Sequence, residues 1–199
     1  MKKVTSHKSQ VTSKDVLKIF REKNALLEGH FELSSGLHSE KYLQCALILQ
    51  YPDLAEKFAK ALAEKFKKEK IGVVVGPALG GITLAYEVAR QLGVRGIFSE
   101  RQDSQMLLRR GFQIEDKEKV LVVEDVVTTG LSTKEVIGLV RTSGGMVVGV
   151  ASIIDRSGGN VKFDVVFESL AKVDIKTYKE EDCPLCKKGM PVIKPGSRK

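Results

Sequence analysis

Residues 120–135 read Val-Leu-Val-Val-Glu-Asp-Val-Val-Thr-Thr-Gly-Leu-Ser-Thr-Lys-Glu. Val120 to Val123 form an apolar run without alternation, the pattern of a strand buried on both faces of a parallel sheet. The run ends on two adjacent acids, Glu124 and Asp125, at the edge where open α/β sheets bind ligands. A loop of two threonines and Gly130 follows, then a helix to Arg141 whose start is marked by Ser132 and Glu135 at capping-box spacing. Backbone N–H groups of such a loop, with the helix N-terminus, make an anion site. Thr128, Thr129 and Ser132 add hydroxyl donors, and Gly130 allows close backbone approach. Carboxylates beside a phosphate repel it unless they address sugar hydroxyls or a Mg²⁺ ion. The stretch reads as a phosphate cradle preceded by two acids with a separate task.

Working outward, strand, turn and helix alternate. Ile71 to Val75 is a second apolar run, entering Gly76-Pro77-Ala78-Leu79-Gly80-Gly81 and a helix through Leu92. Val94 to Ser99 reads as a strand, as does Met146 to Ile154, which ends on Asp155 after the stop at Gly144-Gly145. Such alternation predicts βαβ units around a mainly parallel sheet flanked by helices. Toward the N-terminus, Pro52 opens a helix with Leu54, Phe58, Leu62 and Phe66 on one face. Ser13 to Lys23 forms another, with Ser13 as N-cap and Val16, Leu17 and Phe20 inward. Residues 28–44 are turn-rich with no clear period, and the tail after Lys179 shows no regular structure.

The chain of 199 residues carries a net charge of +8 and 42% hydrophobic residues, enough apolar content for one folded domain. The charge is uneven: residues 1–23 carry +5, residues 172–199 carry +4, and residues 24–171 carry −1. A basic face for nucleic acid is therefore not expected, since the excess lies on the two ends. No apolar run approaches the ~18 residues of a membrane span, and the N-terminus lacks a signal-peptide core. Three cysteines argue against a disulfide framework and for a cytoplasmic setting. Cys183-x-x-Cys186 is half of a zinc site with no His or further Cys close in sequence, so a structural turn is the preferred reading. Cys45 reads as a packed thiol, and His30 and His38 as surface or packing residues.

No G-x-x-x-x-G-K-[ST] occurs, which excludes a P-loop nucleotidase. A phospho-receiver domain would place the acids of its first strand near its own N-terminus. The strand, Glu-Asp and Thr-Thr-Gly-x-Ser pattern instead resembles the 5-phosphoribosyl diphosphate (PRPP) motif of type I phosphoribosyltransferases. Over nearly its whole length the chain is similar to the orotate branch of that family. Phe31 to Ser39 resembles the branch's F-x-L-x-S-G-x-x-S stretch, and residues 76–81 its diphosphate loop. Asp155-Arg156 resembles its pair after the last core strand. Cys183-Pro184-Leu185-Cys186 through Lys194-Pro195-Gly196-Ser197-Arg198 resembles the ending of a longer branch.

The resemblance implies a type I phosphoribosyltransferase fold in a single domain, 1–199, with a core of about 53–156. A small hood would be built from about 24–50 and 157–199. It implies transfer of phosphoribose from PRPP to N1 of orotate, with the alternatives of a purine or xanthine enzyme or a PRPP-sensing regulator. PRPP would be held by Glu124, Asp125, Val126, Val127, Thr128, Thr129, Gly130, Leu131, Ser132, Gly76, Pro77, Ala78, Gly80 and Arg101. Orotate would meet Thr128, Arg156, Ser35 and Gly36. Catalysis would fall to Glu124, Asp125, Arg109 and Arg110. Mg²⁺ would arrive mainly on PRPP, with Asp125 as a protein ligand. A homodimer is implied, its mobile loop 99–112 reaching the neighbouring active site. Three departures stand out: Ser34 and Leu79-Gly80 replace lysines of many relatives, and loop 99–112 has arginines but neither Lys nor His.

Overall fold

The apolar run at 120–123 is the middle of a nine-residue strand at the centre of the molecule, seen in a computed structural model that describes residues 11–33 and 35–195. In chain order, helix α1 (Ser13–Glu22) leads into strands β1 (Leu26–Glu32) and β2 (His38–Leu43). The short helix α2 (Ala46–Leu49) and the longer α3 (Pro52–Phe66) follow. Next come β3 (Val73–Pro77), α4 (Gly80–Leu92), β4 (Arg95–Gln102), β5 (Gln105–Leu108) and β6 (Lys119–Val127). Then α5 (Leu131–Thr142), β7 (Met146–Asp155), β8 (Phe167–Lys172) and β9 (Thr177–Tyr178) precede a 3₁₀ turn at Glu180–Asp182 and α6 (Pro184–Lys187).

Six strands form the main sheet in the order β5-β4-β3-β6-β7-β8, parallel except for the β4–β5 hairpin. The expected α/β class and mainly parallel sheet are present. Alternate residues of one strand serve two cores. Val74, Leu121 and Val123 face α1, α3 and α4 through Phe20, Phe58, Leu62 and Leu84. Val73, Val75, Val120 and Val122 face α5 through Val136, Ile137 and Val140. Burial on both faces is why the central strands are uniformly apolar. A second, three-stranded sheet, β1-β2-β9, the hood, draws its strands from the two segments expected to build it.

Several expectations need correction. The turn-rich stretch 28–44 is an antiparallel hairpin, hidden by a register shift between Glu28 and Phe31 that breaks the alternation. The parallel sheet continues past the expected limit at 156, because β8 pairs with β7. Ser34, and Gly196 to Arg198 of the tail, lie outside the described residues. Segment 99–112 is no simple loop: β4 and β5 pair from Ser99↔Leu108 to Gln102↔Gln105. The tail after Lys179 carries the 3₁₀ turn and α6.

The cap of α1 is Thr12, not Ser13. Thr12 Oγ1 accepts from the Asp15 N–H at 3.2 Å, and Asp15 Oδ2 accepts from the Thr12 N–H at 3.0 Å. This reciprocal pair satisfies two end groups of the helix that packs against β8. Thr12→Ala is expected to cost about 1 kcal/mol of stability. Ser13→Ala should change it by less than ~0.5 kcal/mol. Thermal melts of the two variants decide between the caps; equal losses would reject Thr12 as the cap.

Candidate active site

Strands β3 and β6 are neighbours, yet the chain leaves them in opposite directions: β3 is followed by β4 on one side, and β6 by β7 on the other. That reversal opens a crevice at their carboxyl ends. The end of β3 supplies Gly76-Pro77 and the end of β6 supplies Glu124-Asp125. A Cβ on Gly76 would stand 2.6 Å from the Gly81 carbonyl oxygen, and one on Gly80 2.8 Å from Asp125 Oδ2. Only glycines let the start of α4 lie this close to the strand ends, and the Asp125 carboxylate fills the space left at Gly80.

Glu124 is 8% exposed. Its Oε1 accepts from the Asp125 N–H at 3.2 Å, and Asp125 Oδ1 accepts from the Val126 N–H at 2.8 Å. Burial, and then the neighbouring Asp125 charge, push the Glu124 carboxyl well above its usual value. Burial also raises Asp125, against the hydrogen bonds that favour its charged form. Two adjacent acids that resist ionisation are poised for hydroxyl donors or a cation. Their oxygens suit Mg²⁺, which takes one or two carboxylates and fills its other positions with water and substrate phosphate.

Beyond them, residues 126–133 wrap a small cup of about 40 Å³ that Glu124 also lines. Gly130 starts α5 with φ of 72°, where an added Cβ would also meet Val161 Cγ1 at 2.6 Å. Gly130, not the expected Ser132–Glu135 box, is therefore the N-cap. Glu135 is drawn away by an ion pair with Arg101. The cup presents the first N–H groups of a helix, which have no intrahelical acceptor.

The cup opens onto a cleft of about 1150 Å³ between the main sheet and the hood. Asp125, Val126, Thr128, Thr129, Leu131, Ser132, Arg156 and Ser35 line it. Gly36 turns beside Ser35 with φ of 78°. Gly80 lies against Asp125, and neither it nor Gly76, Pro77 or Ala78 lines the cleft. Arg156 is held by its own N–H donating to the Val127 oxygen at 2.8 Å and by Nη2 donating to Ser39 Oγ at 3.4 Å. Burial lowers its pKa, so a poorly hydrated guanidinium faces the cleft. Tyr42, Lys134 and Lys176 also line the space, and the sequence reading did not single them out. Tyr42 lies in the unrecognised hairpin, and Lys176 just before β9. Among the described lining residues, Arg101, Arg109 and Arg110 do not appear: Arg101 pairs with Glu135, and Arg110 with Glu100 at 2.9 Å.

Residues 46–177 match the phosphoribosyl transferase domain family. The chain belongs to the phosphoribosyltransferases. Its branch is that of the orotate phosphoribosyltransferases, the name borne by relatives that match it nearly end to end. The protein of that name from Caldanaerobacter subterraneus is 62% identical over 92% of this chain and 97% of its own. That from Carboxydothermus hydrogenoformans is 59% identical over 93% of this chain and 98% of its own. The solved orotate phosphoribosyltransferase of Aeropyrum pernix superposes with a TM-score of 0.67 at 25% identity, covering 79% of this chain and 93% of that one.

The raised Glu124 carboxyl has a stability consequence. Its folded pKa lies above the usual 4.5, so the folded state binds the proton more tightly than the unfolded chain does. Stability is then lost as pH rises from 4.5 through the folded value. Glu124→Gln removes this loss. Its melting temperature should exceed the wild type's at pH 8, with the gap closing toward pH 4.5. A gap that widened on acidification would reverse the assignment.

Proposed function

We propose that the chain transfers the 5-phosphoribosyl group of PRPP to N1 of orotate, releasing diphosphate and forming orotidine 5′-monophosphate. The observation that carries this is the acid pair at the end of β6, which shares one cleft with a phosphate cup at a helix start and a half-buried cation, Arg156. A substrate with a phosphate at one end and a carboxylate at the other matches that spacing of charges.

The cup at 126–132 takes the 5′-phosphate on backbone N–H groups and the hydroxyls of Thr128, Thr129 and Ser132. Glu124 and Asp125 accept hydrogen bonds from the ribose 2′- and 3′-hydroxyls and stabilise the positive charge that develops on the sugar as the C1′–O bond breaks. The Mg²⁺ carried on the diphosphate supplies Lewis-acid stabilisation of that leaving group. Arg156 pairs with the orotate carboxylate, which restores the partners its burial removed and aims N1 at C1′. No side chain needs to become a covalent nucleophile. Three free thiols fit a reducing, cytoplasmic setting, and no described helix is long and apolar enough to cross a membrane.

With PRPP and Mg²⁺, orotate should be consumed while uracil, adenine, guanine, hypoxanthine and xanthine are not. Turnover of a purine with orotate ignored would overturn the proposal, and binding of PRPP without turnover of any base would make the chain a sensor. Arg156→Ala should raise KM for orotate at least ~10-fold, the scale of one charge-assisted contact, and leave KM for PRPP nearly unchanged. Equal rises in both would remove Arg156 from the base pocket.

The arginines of the β4–β5 hairpin do not line their own chain's cleft, which supports a homodimer in which each hairpin serves its neighbour. Mixing Asp125→Asn chains with chains carrying Arg109→Ala and Arg110→Ala tests this. Recovered activity in the mixture is expected, because one site of each mixed dimer has both parts intact. No recovery would confine the hairpin to its own subunit.

A further inference from the structure

His30, His38, Cys183 and Cys186 come from two distant stretches of the chain, and their ligand atoms all lie within 4.8 Å of one another. We propose that these four residues bind one Zn²⁺ ion that fastens the C-terminal tail to the hood. This corrects the sequence reading of a bare turn at 183–186 and of packing or surface histidines: the two missing ligands exist, about 150 residues upstream.

The backbone explains how they meet. β1 carries an irregularity between Glu28 and Phe31, so that His30 and Phe31, adjacent in sequence, are both buried. A bulge of this kind re-aims a side chain that strict alternation would send outward. His38 opens β2, two residues from the turn, and pairs with Glu32. Cys183 is the N-cap of α6 and Cys186 lies in its single turn, which brings both sulfurs to one side. The tail is docked there by Ile193 N–H donating to the His30 oxygen at 2.8 Å and Glu32 N–H donating to the Ile193 oxygen at 2.9 Å.

The ligand atoms are set for a metal. His30 Nδ1 lies 2.8 Å from the Met190 carbonyl oxygen, which can only accept. The proton of neutral His30 is therefore on Nδ1, and the Nε2 lone pair points into the cluster. Carbonyl-oriented imidazoles of this kind are the usual support of a zinc ligand. That one lone pair faces His38 Nδ1 at 2.8 Å, Cys183 Sγ at 3.5 Å and Cys186 Sγ at 3.7 Å, while Cys186 Sγ stands 3.2 Å from His38 Nδ1. It cannot accept from three donors at once, whereas a cation at the centre satisfies all four. Tetrahedral Zn²⁺, with bonds of about 2.3 Å to sulfur and about 2.0–2.1 Å to nitrogen, sets ligand–ligand edges of about 3.3–3.8 Å. These four contacts straddle that range: on binding, the two imidazoles would part by roughly half an ångström and the widest separation in the cluster, up to 4.8 Å, would close.

Two thiolates and two imidazoles select zinc over the hard Mg²⁺ of the reaction. His30, His38 and Cys183 are buried. A site closed by four protein ligands is structural rather than catalytic. A three-stranded sheet has little core of its own, and small units of this kind need a staple. This staple would hold the wall of the cleft formed by Ser35, Leu37 and Tyr42 against the tail.

Metal content of the enzyme purified under reducing conditions, without chelator, tests the proposal. One equivalent of zinc per chain is expected. Cobalt substitution should produce the visible bands of a tetrahedral sulfur–nitrogen site. Cys186→Ser and His38→Ala should each lose the metal. Because those variants could misfold, the wild-type enzyme is also melted with and without a zinc chelator, and a lower melting temperature with chelator is expected. Failure to take up zinc on reconstitution of the reduced wild type would overturn the proposal. A Cys183–Cys186 disulfide in the native protein, shown by thiol titration, would do so as well.

Discussion

The site depends on one close approach, that of the first turn of α4 to the ends of β3 and β6. With no Cβ at Gly76, Gly80 or Gly81, helix backbone sits where side chains would otherwise separate it from the sheet. The Asp125 carboxylate occupies the gap over Gly80, and its position fixes that of Glu124 and of the cup beyond. A methyl group at Gly80 would have to displace a carboxylate rather than flexible surface atoms. Sheet topology makes the crevice, and these glycines decide what can stand in it.

The same packing makes the acid pair costly. Burial opposes ionisation of both acids, and the Asp125 charge adds to it at Glu124, while hydrogen bonds partly favour the charged form of Asp125. Active sites commonly hold such unfavourable electrostatics so that the bound substrate relieves them. Arg156 is the complementary case, a cation with Ser39 Oγ as a side-chain partner and an under-hydrated head toward the cleft. Acids and cation thus line one cleft, each held in a setting that disfavours its charged form.

The central sheet and its acid pair were legible because parallel strands buried on both faces leave continuous apolar runs, such as Val120 to Val123. Local signals failed where a distant residue intervened. Ser132 and Glu135 have capping-box spacing, but Arg101 on the β4–β5 hairpin takes the carboxylate and Gly130 takes the cap. The hairpin of β1 and β2 was illegible because its bulge leaves His30 and Phe31, adjacent in sequence, both buried. Tyr42 was lost from the site with it. The relation of Cys183 to His30 spans 153 positions, and neither flank contains a hint of the other.

Arg101 and Arg110 of the segment that holds the β4–β5 hairpin each carry an ion pair within the chain. Arg101 is engaged by Glu135 and Arg110 by Glu100, so an anion that takes either guanidinium has to displace a carboxylate. Binding at either guanidinium is then an ion exchange, anion for anion, whose net free energy is the small difference between two similar contacts. Such an arrangement favours rapid reversal. An anion bound there is released as readily as it is taken up, because Glu135 and Glu100 stay beside the two guanidinium groups as competing counter-ions.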